Sequence, residues 1–176
     1  MVTPPAPLHL EPDELHARAT RIRLVLTDVD GTLTDGGVYY SDRGEEMKRF
    51  DLRDGMGVER LRGHGVETAF ITRESSPIVQ RRAEKLGVKL FAGLKDKRLA
   101  LPDILRELGV TPEQVAYFGD DINDAAIMDA IRPGGLVGAP VDAQPHVRDR
   151  IHFRSALPGG HGAFREFAEW LIRLAG

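Results

Sequence analysis

Acidic side chains follow two apolar runs of the sequence, in a pattern that suits metal and phosphate chemistry. Asp28 and Asp30 come directly after the first run, in the motif Asp-Val-Asp-Gly. A second acidic cluster follows another such run and consists of Asp120, Asp121 and Asp124. Crowded carboxylates repel one another, and a hard cation such as Mg²⁺, which prefers oxygen ligands, relieves that repulsion. For the first motif alone, an Asx turn that ends a strand is an equally good explanation.

A hydroxyl group and a lysine follow two further apolar segments. Thr72 lies just before a helical pattern, where free backbone N–H groups form an anion site. Lys97 opens the next helical pattern. Ligands of open α/β sheets bind beyond the carboxyl ends of the strands, so we expect all four features to share one crevice. Their joint occurrence argues against a purely structural explanation.

The elements that must position these residues alternate along the chain. Short β-branched or apolar runs predict strands at 22–28, 67–71, 89–91, 115–119 and 135–138. Helices are predicted near 13–19 and at 57–62, 76–86, 97–108, 123–130 and 163–174. Such alternation predicts an α/β fold with a central parallel sheet. Pro102 interrupts the helical pattern 97–108, and we expect it to start or kink a helix at 103–108.

One segment, 36–50, breaks the alternation. Its two short strand-like runs flank Asp42-Arg43-Gly44, which predicts a β-hairpin that projects from the sheet edge.

Composition narrows the class of protein. The 176 residues fit one domain, which we place at 21–176 behind an N-terminal arm at 1–20. A formal net charge of -3 argues against a nucleic-acid partner, and the lack of cysteine excludes disulfides, zinc-thiolate sites and thiol nucleophiles. No stretch approaches the ~18 apolar residues of a membrane span, and no signal peptide is visible. We therefore expect a cytoplasmic protein without a membrane partner.

The order of the four motifs resembles the haloacid dehalogenase-like superfamily of phosphotransferases, over about residues 22–170. The resemblance implies a Rossmann-like three-layer sandwich and a Mg²⁺ cofactor. It makes Asp28 the nucleophile that forms an aspartyl-phosphate, and Asp30 the general acid and base. The implied metal ligands are Asp28, the backbone carbonyl of Asp30, and Asp120.

The same resemblance gives supporting roles to the other polar residues. Thr72 and Lys97 would bind the phosphoryl oxygens, and Gly31 would lie with the substrate-binding residues. Asp121 and Asp124 would orient water or Lys97 from behind the metal ligands.

The spacing of the motifs leaves no room for a cap domain. Only the hairpin, one helix and one strand separate Asp28 from Thr72, and one helix and one strand separate Thr72 from Lys97. Segments 48–57 and 159–166 resemble the 3-deoxy-D-manno-octulosonate 8-phosphate phosphatases, which are tetramers whose hairpins associate. We therefore expect a homotetramer in which the flexible Gly159-Gly160 pair lets the C-terminal segment swing over a site.

The specificity residues depart from that family. Arg73-Glu74 stands where octulosonate phosphatases usually have Gly-Arg, and His161 stands where they usually have Arg. Glu74, Arg82 and Lys85 are more similar to 2-keto-3-deoxynonulosonate 9-phosphate phosphatases, in which the adjacent subunit lends the basic residues. Arg82 and Lys85 suit a carboxylate, Glu74 suits hydroxyls, and Arg73 would add an anion contact. A solvated helix face explains Arg82 and Lys85 equally well.

The sequence thus predicts a Mg²⁺-dependent phosphatase that hydrolyses the terminal phosphate monoester of a 2-keto-3-deoxy sugar acid, the octulosonate 8-phosphate or the nonulosonate 9-phosphate. Two alternatives stay open. A phospho-accepting receiver-like module also pairs acids with Thr and Lys around Mg²⁺, but its first strand ends in adjacent acids. A non-catalytic or accessory subunit of a larger enzyme is the other alternative, although every motif residue is present here.

Overall fold

A computed structural model describes residues 9–176, so prolines 4, 5 and 7 of the predicted arm lie outside the described residues. The strands, in chain order, are β1 (Leu24–Thr27), β2 (Thr34–Ser41), β3 (Gly44–Phe50), β4 (Glu67–Ile71), β5 (Lys89–Phe91), β6 (Val115–Phe118), β7 (Leu136–Ala139) and β8 (Phe153–Arg154). Six of them form a sheet in the order β5-β4-β1-β6-β7-β8, and every neighbouring pair in it is parallel.

Helices cover both faces of this sheet, which confirms the predicted three-layer α/β fold, and residues 9–176 form no cap domain. They are α1 (Pro12–Ala19), α2 (Leu52–Gly63), α3 (Pro77–Leu86), α4 (Lys97–Leu108), α5 (Ile122–Ile131), α6 (Pro145–Arg148) and α7 (Ala163–Ala175). One buried cluster joins the sheet to α2, α3 and α7, and the other joins it to α4, α5 and α6. Val25 belongs to the first cluster and Leu24 and Leu26 to the second, because successive strand residues point to opposite faces. None of the helices described from residue 9 onward has the length and apolar character needed to cross a membrane.

The hairpin is a separate antiparallel sheet of β2 and β3. It follows β1, which lies in the middle of the large sheet, so it projects from the carboxyl end of a central strand and not from an edge strand. The hairpin exposes Tyr39, Tyr40 and Met47, with 72% of Tyr40 accessible to solvent. Its inner side lies over the crevice where the acidic motifs meet.

Helix α4 corrects one of the two roles expected for Pro102, the start of a helix at 103–108. It runs without interruption from Lys97 to Leu108, so Pro102 neither begins nor ends a helix. The missing N–H of Pro102 leaves only the carbonyl of Arg98 without its helical partner. Both residues are exposed, so water can solvate that carbonyl and the helix tolerates the proline.

Candidate active site

The first acidic motif begins where the central strand ends. The backbone N–H of Asp28 donates to the carbonyl of Phe118 at 2.9 Å, which continues the pairing of β1 with β6 by one step. This register brings Asp28 beside the loop that carries Asp120. The Asp28 side chain is buried, so its carboxylate must be compensated by nearby groups.

Lys97 supplies the positive charge at this point. It is the first residue of α4, whose N-terminus is capped by Asp96, and it is 1% exposed. Its ammonium group donates to Asp28 Oδ1 and, at 2.6 Å, to Asp124 Oδ1. Burial disfavours its charge, but the carboxylates of Asp28 and Asp124 outweigh that cost and raise the pKa of Lys97. The lysine is therefore a fixed cation between two carboxylates.

Asp124 holds the second acidic loop in shape. Its Oδ1 also accepts from the hydroxyl of Tyr117 at 2.6 Å. Its Oδ2 accepts from the backbone N–H groups of Asp120 at 2.8 Å and Asp121 at 3.2 Å. Both oxygens are thus engaged by protein donors, which suits a residue that orients Lys97 and the loop.

The carboxylates of Asp28, Asp120 and Asp124 converge, with one oxygen of each lying within 4.8 Å of the others. Burial and the neighbouring carboxylates raise the pKa of both Asp28 and Asp120. Asp120 Oδ1 is buried and has no hydrogen-bond partner among residues 9–176. With Lys97 charged, three ionised carboxylates leave two uncompensated negative charges, which a divalent cation would neutralise. These residues therefore fit a metal such as Mg²⁺.

Gly31 allows the carboxylate of Asp120 to lie close to the first acidic motif. Its φ of +91° is in the left-handed region, and a Cβ at this position would overlap the carboxylate of Asp120. The sequence placed Gly31 with the substrate-binding residues, and the structure places it against the proposed metal ligand Asp120.

Thr72 lies at the carboxyl end of β4, next to β1. It is buried, and its hydroxyl accepts from the backbone N–H of Glu74 at 3.1 Å. An open cleft lies above these groups and is lined by Asp28, Asp30, Thr72, Arg73, Glu74, Asp121, Ile122 and Asn123. Most of the residues that the sequence singled out therefore meet at one place.

Two basic residues do not reach this cleft within one chain. The guanidinium group of Arg82 lies 5.5 Å from the centre of the Phe50 ring and donates to the carbonyl of Asp51 at 3.3 Å. Lys85 is exposed on α3. Any contact of Arg82 or Lys85 with a substrate would have to be made in another subunit's site.

Two site residues escaped the sequence analysis. Lys48 of the hairpin forms an ion pair with Asp30, with 2.6 Å between Nζ and Oδ1. The sequence signal for Lys48 was its spacing from Phe50. Residues two apart in a strand point to the same face, and Phe50 packs on the core, so Lys48 points inward as well. Tyr117 was hidden in an apolar strand, although a buried tyrosine hydroxyl needs a partner.

The expected swing about Gly159-Gly160 was wrong. Both glycines are buried, and the N–H of Gly160 donates to the carbonyl of Thr32 at 2.8 Å. A Cβ on Gly159 would overlap the carbonyl of Gly31. These glycines serve close packing of the C-terminal segment on the Gly31 loop of the same chain, with His161 Nδ1 2.7 Å from the carbonyl oxygen of Gly159.

Replacing Gly159 by Ala is therefore expected to displace the Gly31 loop, because the carbonyl group of Gly31 must move away from the new methyl group. We expect at least a tenfold loss of the phosphatase activity that the sequence predicts and about 1–3 kcal/mol of lost stability, the usual cost of overpacking. Phosphate release and urea unfolding measure the two effects. Gly63→Ala is the matched control, since a Cβ there meets open space. Equal behaviour of the two variants would contradict the packing role.

Comparisons with known proteins agree with this site. Residues 46–131 match the haloacid dehalogenase-like hydrolases. The chain is 38% identical over 161 residues to 3-deoxy-D-manno-octulosonate 8-phosphate phosphatase KdsC of Escherichia coli K12, which covers 91% of this chain and 84% of the relative. The corresponding Haemophilus influenzae protein is 37% identical over 163 residues, covering 92% and 89%.

Solved structures are similar over the same span. The cobalt-bound octulosonate 8-phosphate phosphatase of Haemophilus influenzae superimposes with a TM-score of 0.85 at 37% identity, covering 90% of this chain and 92% of that chain. The Moraxella catarrhalis enzyme in complex with magnesium, phosphate and KDO gives a TM-score of 0.84 at 34% identity, with 92% of each chain covered.

Proposed function

The chain belongs to the haloacid dehalogenase-like hydrolases, in the 3-deoxy-D-manno-octulosonate 8-phosphate phosphatase family, and on that basis we propose that it is a Mg²⁺-dependent phosphatase of 2-keto-3-deoxy sugar acids. The observation that carries this proposal is the meeting of Asp28, Asp120 and Asp124 around Lys97 at the carboxyl ends of the strands.

The reaction follows from the positions of two carboxylates. Asp28 attacks phosphorus, so that an Asp28–phosphorus bond forms as the ester P–O bond breaks. Asp30, which lines the cleft, gives a proton to the departing alkoxide. Asp30 then takes a proton from the water that attacks phosphorus, which releases inorganic phosphate and restores Asp28.

The surrounding residues stabilise the charge of the phosphoryl group. Lys97 and Thr72 offer an ammonium group and a hydroxyl beside Asp28, where charge builds up on the transferring oxygens. When bound, Mg²⁺ held by Asp28, Asp120 and the carbonyl of Asp30 would neutralise part of that charge. Asp124 keeps Lys97 and the Asp120 loop in place.

The two alternative functions lack comparable support. The relatives are phosphatases and not receiver modules. An accessory subunit without activity has no need for a complete set of assembled catalytic residues. We also infer a homotetramer, supported by the exposed Tyr39, Tyr40 and Met47 of the hairpin. The cytoplasmic location and the absence of nucleic-acid and membrane partners stay predictions.

The choice between the two sugar acids is a separate proposal. The named relatives support octulosonate 8-phosphate, whereas Glu74 on the cleft wall favours the nonulosonate 9-phosphate. We expect Glu74→Arg to raise the kcat/KM ratio of octulosonate over nonulosonate ester by about tenfold or more, because a lost hydrogen-bond partner is costly in a specificity site.

Phosphate release from both esters, with Mg²⁺ present, measures this ratio. Glu107→Arg is the matched control, because Glu107 is exposed on α4 and forms its ion pair with Lys89, away from the cleft. Turnover of neither ester by the unmodified protein would refute the proposed function. Turnover with no change in the ratio would refute only the role of Glu74.

A further inference from the structure

Lys48 reaches the catalytic crevice from the hairpin. Its Nζ lies 2.6 Å from Asp30 Oδ1, and its side chain is only 1% exposed. The contact joins residues eighteen positions apart, so it depends on the fold of β3 over the first motif and not on local sequence. A buried lysine in contact with the proposed general acid is unlike the solvated lysines of a protein surface.

A second chain of contacts holds Lys48 in place. Glu45 Oε2 lies 3.5 Å from its Nζ, and the other oxygen of Glu45 accepts from the hydroxyl of Ser76. Ser76 is the N-cap residue of α3, where its side chain accepts from the N–H of Val79. The ammonium group is thus held by Asp30 and by Glu45, and Glu45 is in turn held by Ser76 at the start of α3.

The two carboxylate oxygens of Asp30 differ in their hydrogen bonding. Oδ1 accepts from Lys48, whereas Oδ2 is buried and has no hydrogen-bond partner in the described part of the chain. Asp30 itself lines the cleft together with Asp28 and Thr72. Anchoring one oxygen of a carboxyl group fixes the direction of the other, and proton transfer requires the donor within hydrogen-bond reach of its acceptor.

We propose that Lys48 is a positioning residue, which holds the carboxyl group of Asp30 at the cleft so that it can give its proton to the ester oxygen of the substrate. The inference rests on the proposed phosphatase function and adds to it a residue of the hairpin. As the ester P–O bond breaks, the proton moves from the carboxyl group of Asp30 to the departing alkoxide, and Asp30 keeps its contact with Lys48.

This role predicts a dependence on the leaving group. A sugar alkoxide is a poor leaving group and needs a well-placed proton donor, whereas nitrophenolate departs without one. The kcat/KM value reports the steps up to departure of the leaving group. Loss of Lys48 should therefore harm sugar-acid phosphates much more than 4-nitrophenyl phosphate.

The experiment measures kcat/KM of the full-length protein with octulosonate 8-phosphate and with 4-nitrophenyl phosphate, in Mg²⁺. General acid catalysis is worth about 10²–10⁴-fold, so we expect Lys48→Met to lower the value for the sugar ester by about 100-fold. For the aryl ester we expect a loss of less than about threefold, since it bypasses the proton donor. Arg43→Met at the exposed hairpin tip is the matched control and should change neither value.

Equal losses for the two esters would overturn the inference, because they would show that Lys48 only attracts phosphate or maintains the fold. Glu45→Gln is a second, milder variant that keeps Lys48 and removes one of its two anchors, and it decides the matter if Lys48→Met does not fold. We expect it to lower the sugar-ester value more than the aryl-ester value, and equal effects would again overturn the inference. Turnover of neither ester by the unmodified protein would instead refute the proposed function, and the inference with it.

Discussion

Asp28→Asn is expected to abolish phosphate release, with a loss of about 10⁴-fold or more, because an amide oxygen is not a nucleophile that forms the acyl-phosphate. The same change should not lower stability in metal-free buffer. Burial and Asp124 raise the pKa of Asp28, so its charge is held at a cost that the neutral asparagine avoids. Catalytic sites commonly contain charges that lower stability. Replacing such a charged residue by a neutral one therefore tends to raise stability while activity is lost.

Phosphate release and urea unfolding measure both halves of this prediction. Asp42→Asn is the matched control, since Asp42 is exposed in the hairpin turn, and it should keep full activity. Substantial turnover by Asp28→Asn would exclude Asp28 as the nucleophile. A large loss of stability would show that Asp28 acts mainly as a structural partner of Lys97.

Lys97→Met should impair both activity and folding. Removing the ammonium group leaves Asp28 and Asp124 facing each other without the cation that separates them. Breaking a buried ion pair typically costs about 3–5 kcal/mol. Losing one donor to a developing oxyanion lowers kcat by about 10²–10³-fold. Both effects should appear together, in contrast to Asp28→Asn.

Mg²⁺ provides a further check on Lys97→Met. A cation that binds the folded state stabilises it by mass action, and the variant has one more uncompensated charge than the unmodified site. We therefore expect added Mg²⁺ to raise the Tm of Lys97→Met more than that of the unmodified protein. Lys95→Met, which changes an exposed lysine two residues earlier, is the control. Equal stability of the two variants would contradict the role assigned to Lys97.

The predicted strands agree with the structure because the sheet is covered on both faces, which gives continuous apolar runs. The start of α2 was missed because Gly55 and Gly57 weaken its helical pattern. The structure explains these glycines: a Cβ on Gly55 would press on Arg82, and one on Gly57 on Phe164. Elements as short as α6 and β8 show no periodicity that a sequence can reveal.

The candidate site likewise contains residues that the sequence predicts and residues that it does not. Asp28, Thr72, Lys97 and Asp120 stand at the ends of strands or the start of a helix, where the parallel topology alone predicts that they meet. Lys48 depends on the register and tilt of a hairpin relative to another element. Gly159 was predicted to be flexible. A glycine pair in a sequence is equally consistent with a flexible backbone and with a backbone that packs closely against another segment.

Trapping the phosphorylated enzyme tests the central claim most directly. The protein is mixed with its sugar-acid phosphate and Mg²⁺, quenched in acid within milliseconds, and reduced with borohydride, which converts an aspartyl-phosphate to homoserine. Peptide mass analysis of the tryptic segment 24–43 then locates the change. The proposed chemistry predicts homoserine at position 28 and at no other aspartate. Rapid phosphate release with Asp28 unmodified, or with homoserine elsewhere, would contradict it.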